Sequence, residues 1–394
     1  MPQGCNSRNS VLTCPAAGKC GGCIYAGRTY EETLGIKEKY IRDLLKGKAG
    51  EVMPAVPADD PFFYRNKIYI SFGRDRKGPV SGRFAEGSHK IEQVGSCLIE
   101  DKVAADIERE VMFLVRKYRM TVYDEKTGRG LLRGVLVRVA KKTGEVMVVV
   151  VTSAEEFKGR RNFTDTLIKK VPAITTVVIN INTRTDSMIL GDKSHVAYGK
   201  GYIIDKLCGM SFKISPESFY QVNHDQTEKL YDTAFEMAGI GPKDTVLDAY
   251  SGIGTIGLIA SKLAGSVISV ELNPKAAADS KENAAHNKVT NVKTICADAT
   301  AYMEKAAASG QKFDVVILDP PRSGTTKEFI EACRKISPDR IVYISCGPEA
   351  LARDLDLFAK AGFEAKKAVP VDLFCFTGHI EVVALLQKTK DGRS

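Results

Sequence analysis

After about residue 215 the chain settles into a strict alternation of strand and helix patterns, and this alternation constrains the fold more than any other feature. A helical pattern over 224–239 leads into an apolar run at 244–250. A glycine-rich turn and a helix follow. Further strand runs at 266–271, 292–296, 313–319 and 340–345 are each separated by a helical segment. A helix at 350–361 and two strands near 365–373 and 379–386 complete the pattern. Such alternation implies a doubly wound, mostly parallel sheet, which predicts an α/β, Rossmann-like fold for residues 213–394.

Upstream the pattern is different. Residues 54–212 carry short β-type runs such as Lys67–Phe72, Gly134–Val139, Glu145–Val151 and Thr176–Ile181, with helical segments at 101–118 and 154–170. This region reads as a mixed α/β domain. Residues 1–53 hold four of the ten cysteines, then an amphipathic helix from Tyr30 to Lys46 that ends at Gly47. The expected organisation is therefore a cysteine-bearing segment at 1–53, a central domain at 54–212 and the alternating domain.

The cysteines bear on compartment. The N-terminus lacks the basic start and apolar stretch of a secretory signal, and no apolar run is long enough to span a bilayer. The expectation is a cytoplasmic chain with no membrane partner. Thiols stay reduced there, so ten cysteines point to metal binding or catalysis rather than disulfides.

The turn Asp248 to Gly257 contains G-x-G-x-x-G directly after a strand. Glycines there let the backbone approach a ligand closely. Glu271 ends the next strand, where a carboxylate can accept both ribose hydroxyls of an adenosine. These features fit NAD and S-adenosylmethionine alike. Asp248 favours the latter, because a carboxylate suits a cationic amino group better than a pyrophosphate. Asp298, after the third strand, is placed to reach an adenine edge. Asp319-Pro320-Pro321-Arg322 and Ser345-Cys346-Gly347-Pro348 end the next two strands, at the sheet edge where such folds bind ligands. A cysteine in such a loop is a candidate nucleophile, although a buried structural thiol is the commoner fate.

Together with Phe219-Tyr220-Gln221-Val222-Asn223 and His379-Ile380-Glu381, these segments resemble the RNA (uracil-5-)-methyltransferase family in order and spacing. The resemblance implies that Gln221, Tyr250, Glu271 and Asp319 contact S-adenosylmethionine, with Asp298 beside them. It implies Cys346 as nucleophile and Glu381 as base, acting on C5 of a uridine. The family usually has Asn at the position of Gly347 and often Phe at that of Tyr250. Neither change removes a reacting group. An RNA cytosine C5-methyltransferase uses the same thiolate addition and is the alternative enzyme reading.

Cys14, Cys20 and Cys23 form a compact C-x5-C-x2-C pattern, and Gly21-Gly22 lets the chain wrap around a metal. Cys97, the next cysteine in sequence, is the expected fourth ligand, ahead of Cys5. Spacing alone permits zinc or an iron–sulfur cluster. The resemblance favours a 4Fe–4S cluster, which some family members carry on this pattern. Cys208, Cys296, Cys333 and Cys375 lie in apolar surroundings and read as core thiols.

The net charge is +9, and it is uneven. Residues 61–90 hold seven Lys or Arg against two acidic groups, interleaved with Phe62, Phe63, Tyr64 and Phe72. Residues 126–142 hold six basic groups and no acidic one. Basic groups neutralise phosphates and aromatic rings stack unpaired bases, so the central domain is the expected RNA-binding surface. The target base must leave any stack to reach Cys346. Larger family members carry an N-terminal oligonucleotide-binding barrel before the cysteines; with the first pattern cysteine at Cys14, this chain is expected to lack it. The resemblance favours 23S ribosomal RNA as substrate, with transfer RNA as the alternative, and a monomeric enzyme.

Overall fold

The computed structural model describes residues 7–389, and Cys5 lies outside them. In chain order the elements begin with α1 (Tyr30–Leu44), β1 (Ala49–Val52), β2 (Lys67–Asp75), β3 (Gly78–Phe84), β4 (Ile91–Glu92) and α2 (Lys102–Lys117). Next come β5 (Leu132–Val139), β6 (Val146–Thr152), α3 (Arg160–Lys170), β7 (Ile174–Ile181) and β8 (Lys193–Tyr198). A hairpin of β9 (Ile203–Leu207) and β10 (Met210–Ile214) leads to α4 (His224–Ala238). The alternating part is β11 (Thr245–Ala249), α5 (Thr255–Ala260), β12 (Ser266–Glu271), α6 (Pro274–His286), β13 (Val292–Cys296) and α7 (Ala299–Ala308). It continues through β14 (Val315–Leu318), α8 (Lys327–Ile336), β15 (Arg340–Ser345), α9 (Pro348–Lys360), β16 (Phe363–Val371) and β17 (Glu381–Lys388).

The expected alternation is present and forms an eight-stranded sheet in the order β1-β16-β17-β15-β14-β11-β12-β13. β11 to β15 pair in parallel, while β17 runs antiparallel between β15 and β16. One edge strand was not foreseen. β1 comes from the N-terminal segment and pairs in parallel with β16, so the segment after the cysteines is built into this sheet. Helix α1 delivers it. Thr29 and Glu32 close a reciprocal capping box at the start of α1, and Ile41 and Leu45 bury against the sheet.

The central strands form a second sheet, ordered β4-β3-β2-β5-β6-β7-β8. β6 is buried along its whole length because both faces are covered, which explains its unbroken apolar run. One face packs on α2 and α3 through Ile68, Ile70, Val135 and Val137. The other turns Leu136, Met147, Val149 and Val178 into the same core as Val246, Ile317, Val342 and Val383 of the larger sheet. Burying one such side chain contributes roughly 1.5–3 kcal/mol, so separating the sheets would consume most of a typical total stability of about 5–15 kcal/mol. The two sheets therefore share one core and hold a fixed relation. Among the described residues no helix is long and apolar enough to cross a membrane.

Candidate active site and cysteine pocket

A cleft of about 650 Å³ opens at the carboxyl edge of the larger sheet. Gln221, Tyr250, Glu271, Asp319, Cys346 and Glu381 all line it. Six residues chosen from the sequence thus converge on one site.

The glycine turn forms the floor. Gly254 has φ +85, a conformation glycine adopts without strain. Gly257 packs so closely that a Cβ would clash with Ser269 and come within 2.7 Å of Asp248 Oδ2. Its N–H donates to that same oxygen at 2.8 Å. Asp248 is fully buried here and does not line the cleft. Burial pushes its carboxyl up to about 8 despite that hydrogen bond. Asp248 therefore braces the turn from behind. The expectation that it faces a cationic amino group is corrected, and the carboxylates that do face the cleft are Glu271, Asp319, Asp279 and Glu381, with exposed Glu217 at the rim.

Glu271 accepts the Gly252 N–H at 2.8 Å and the Asn273 N–H at 2.7 Å, one on each oxygen. These bonds fix its orientation and leave lone pairs for ribose hydroxyls. Tyr250 has φ +66, uncommon for a residue with a side chain, and its hydroxyl lies 3.0 Å from Thr325 Oγ1. Asp298 stands apart from the lining residues. It is exposed and caps α7 by accepting the Ala301 N–H at 2.9 Å.

The reacting pair is set by the ladder between β15 and β17. Ser345 pairs with Val382 in antiparallel register, so Cys346 falls opposite Glu381. Directly opposed residues project to the same side of a sheet. Glu381 is 2% exposed, and its Oε2 has no hydrogen-bond partner. Burial raises its pKa first and the charge of Asp319 raises it further, while Arg322 opposes both. Burial likewise raises Asp319. The Cys346 thiol is pushed up to about 11, by burial first and then by Glu381 and Asp319. It is a thiol at neutral pH, and its proton must leave before or during attack.

Sequence reasoning missed Asp279 on α6. It lines the cleft and accepts from Ser218 Oγ at 2.9 Å, holding the loop that carries Gln221. An aspartate inside an alanine-rich helix carries no local signal of such a role. Phe219, 64% exposed, stands at the rim of the same cleft.

Cys14, Cys20, Cys23 and Cys97 line one small pocket with Leu12, Val94 and Ile99. All four are free thiols. Positive φ at Gly21 (+65) turns the chain between Cys20 and Cys23. Cys333 and Cys375 are buried and Cys208 is half-buried, but Cys296 is exposed at the end of β13, against the expectation of core packing.

Part of the expected RNA surface is also corrected. Tyr64 and Phe72 are core residues, with the Tyr64 hydroxyl donating to the Cys375 carbonyl at 3.2 Å. Arg83 is held by Glu100 and by Glu108 at 3.2 Å and is not free to meet phosphate. Phe62 packs on Phe376 with ring centroids 5.5 Å apart.

Comparison with known proteins agrees with this architecture. The family model of tRNA (uracil-5-)-methyltransferases matches residues 191–389. A protein of Caldanaerobacter subterraneus described as an uncharacterized RNA methyltransferase is 42% identical over 378 residues, covering 95% of this chain and 84% of its own. One of Halalkalibacterium halodurans with the same description is 39% identical, covering 95% and 82%. Among solved structures, the tRNA (uracil-54, C5)-methyltransferase of Pyrococcus abyssi in complex with S-adenosyl-L-homocysteine superposes with a TM-score of 0.78 at 27% identity, over 93% of this chain and 85% of that one. The chain belongs to the tRNA (uracil-5-)-methyltransferase family of S-adenosylmethionine-dependent RNA methyltransferases.

Proposed function

We propose that the chain methylates C5 of a specific uridine in RNA through a covalent bond between Cys346 and C6 of the base. The observation that carries this reading is the cross-strand placement of Cys346 and Glu381 in one cleft with Glu271 and Asp319. C5 of uracil is too weak a nucleophile to take a methyl group unaided. Addition of the Cys346 thiolate at C6 pushes the ring electrons onto O4 as an enolate, and C5 becomes nucleophilic. S-adenosylmethionine supplies an electrophilic methyl. C5 then bears both methyl and hydrogen, and ionised Glu381 takes that proton, which re-forms the ring double bond and expels the thiolate. The unpartnered Glu381 oxygen is the available acceptor. Glu271 would hold the ribose, Tyr250 and Gln221 would pack the cosubstrate, and Asp319 would lie near the reacting centre. Asp298, outside the lining, would help only at the adenine end.

The substrate is an RNA whose uridine is presented unstacked. The resemblance to family members that carry this cysteine pattern favours 23S ribosomal RNA. Transfer RNA is the second reading, favoured by the likeness to the Pyrococcus abyssi enzyme. Mass mapping of ribosomal and transfer RNA from cells with and without this chain tests both. One uridine should lose its methyl group when the chain is absent. A mark lost from cytidine instead would overturn the uracil assignment. We place the enzyme in the cytoplasm as a monomer, where a reduced thiol pocket and a free Cys346 persist.

The cysteine pocket fits a 4Fe–4S cluster better than zinc. Tetrahedral zinc with Zn–S near 2.3 Å brings its sulfurs within about 3.8 Å of one another. Among the described residues, no three of the four sulfurs lie within 4.8 Å of each other. A cluster gives each thiolate its own iron and so suits wider spacing. Cys14, Cys20, Cys23 and Cys97 would hold it, and it would pin the N-terminal loop to the central domain. Anaerobically purified protein should contain iron and acid-labile sulfide with broad absorbance in the blue. Stoichiometric zinc without iron would refute the cluster.

A further inference from the structure

Among the described residues, the wall behind the cleft loop carries three cations with no ion-pair partner in contact. Lys67 on β2 stands directly opposite Arg138 on β5 in the antiparallel ladder. Like charges so placed destabilise a sheet. Arg65 lies two residues before Lys67, and its Nε donates to the Lys67 carbonyl at 3.2 Å. Arg138 is 3% exposed. It donates to the carbonyls of Pro216 and Ser218, and its Nε has no partner. Among the described residues no carboxylate lies within 4.0 Å of any of these three side chains. The contrast with Lys37 is direct. That lysine, 2% exposed, has Asp372 at 2.7 Å. Arg138 is the buried one of the three, and the charge of Glu217 reaches it only from beyond ion-pair distance, as that of Arg65 reaches Cys23. Burying a charge without a contact partner is costly, so an anion seated here would stabilise all three.

Their location says which anion. Asn66, between Arg65 and Lys67, donates from Nδ2 to the Gln221 carbonyl at 3.1 Å and from its backbone to that of Val222 at 2.9 Å. Arg65 forms a backbone bridge with Asn223. The cationic strip thus runs along the back of the segment whose Ser218, Phe219 and Gln221 line the cleft. A uridine reaching Cys346 carries a phosphate on either side of its ribose, and the strip lies just beyond the cleft lining, on the far side of that segment.

We propose that Arg65 and Lys67, backed by the buried charge of Arg138, form a seat for a backbone phosphate of the RNA next to the target uridine. The proposal rests on the reading of the cleft as the methyl-transfer site. Arg138 does two things here: it adds field to the seat and holds the cleft loop by its carbonyls, so an anion bound at the strip is tied mechanically to the wall that meets the base. The Lys67 ammonium is lowered to about 8 by burial and then by Arg138 and Arg65, and a bound phosphate would relieve all three.

The test uses the full chain and a fluorescein-labelled oligouridylate, with anisotropy titrations over a series of salt concentrations. Binding of S-adenosyl-L-homocysteine is measured in parallel by calorimetry. Lys67→Gln should weaken RNA binding about tenfold at low salt and reduce the salt slope by about one, as expected for one lost phosphate contact. Adding Arg65→Gln should reduce the slope further, and Lys67→Arg should restore it. Affinity for S-adenosyl-L-homocysteine should stay unchanged in all of them. An unchanged slope in the double variant would overturn the seat. So would a parallel loss of S-adenosyl-L-homocysteine binding, which would assign the strip to the cosubstrate carboxylate instead. If the slope responds but the unaltered chain methylates no uridine, the seat stands and the reaction assignment falls. If uridine is methylated and the slope does not respond, only the seat falls.

Discussion

Cys346→Ala is expected to abolish methyl transfer to RNA, by on the order of 10^4-fold or more, the scale on which loss of a nucleophile acts. It should also abolish any denaturation-resistant RNA adduct. The fold should persist, because Cys346 is only half-buried at the end of β15 and packs in no core. Binding of S-adenosyl-L-homocysteine should be retained, since Glu271 and the glycine turn are untouched. Transfer of labelled methyl to RNA, read beside that binding, separates a chemical defect from a structural one. Full activity in this variant would remove the covalent mechanism.

The second large effect is opposite in character. Glu381→Gln leaves the thiol and the cosubstrate site in place but removes the group that takes the C5 proton. Addition and methyl transfer should then proceed once and stop, so that a methylated covalent complex accumulates while turnover falls, again by orders of magnitude. Gel electrophoresis in denaturant, with label in either the RNA or the methyl group, detects the trapped species. An inactive variant with no adduct would point to a different base, and Asp319, the cleft carboxylate whose charge acts on both Glu381 and Cys346, is the one to replace next. In the unaltered enzyme both Cys346 and Glu381 hold protons above their ordinary range. Each must be deprotonated to act, so the rate should climb as pH rises through neutrality.

What the sequence made legible followed how local each signal is. The glycine turn, Glu271, Asp319 and Cys346 sit at strand ends, and a strand end is readable from pattern alone. Three of the pocket cysteines were readable from their close spacing in sequence, and Cys97 from the Gly95 two residues before it. Other features depend on which parts of the chain meet in space. β1 joins the larger sheet only because α1 packs on α9 and the sheet's outer face. Asp248 turned out to brace the floor because Gly257 and Ser269 close over it. Tyr64 and Arg83 sat within a basic, aromatic stretch, yet one is core and the other is paired, since composition does not say which way a side chain turns. Asp279 and Arg138 act on the cleft across sequence separations that no motif spans.

The reversed direction of β17 has one more effect. Glu381 is the first residue of an interior strand, bonded into the ladder on both sides, with Val371 of β16 as its partner on one flank and the Ser345–Val382 pair on the other. Its position is therefore a matter of counting. The span from Val371 to Glu381 can change in composition while the frame of β17 is kept. Deleting a single residue inside the strand would turn every later side chain to the opposite face, and a one-residue slip at its start would point the carboxylate away from Cys346. Natural variants of this enzyme should tolerate substitutions along that connection far better than insertions or deletions within the strand itself.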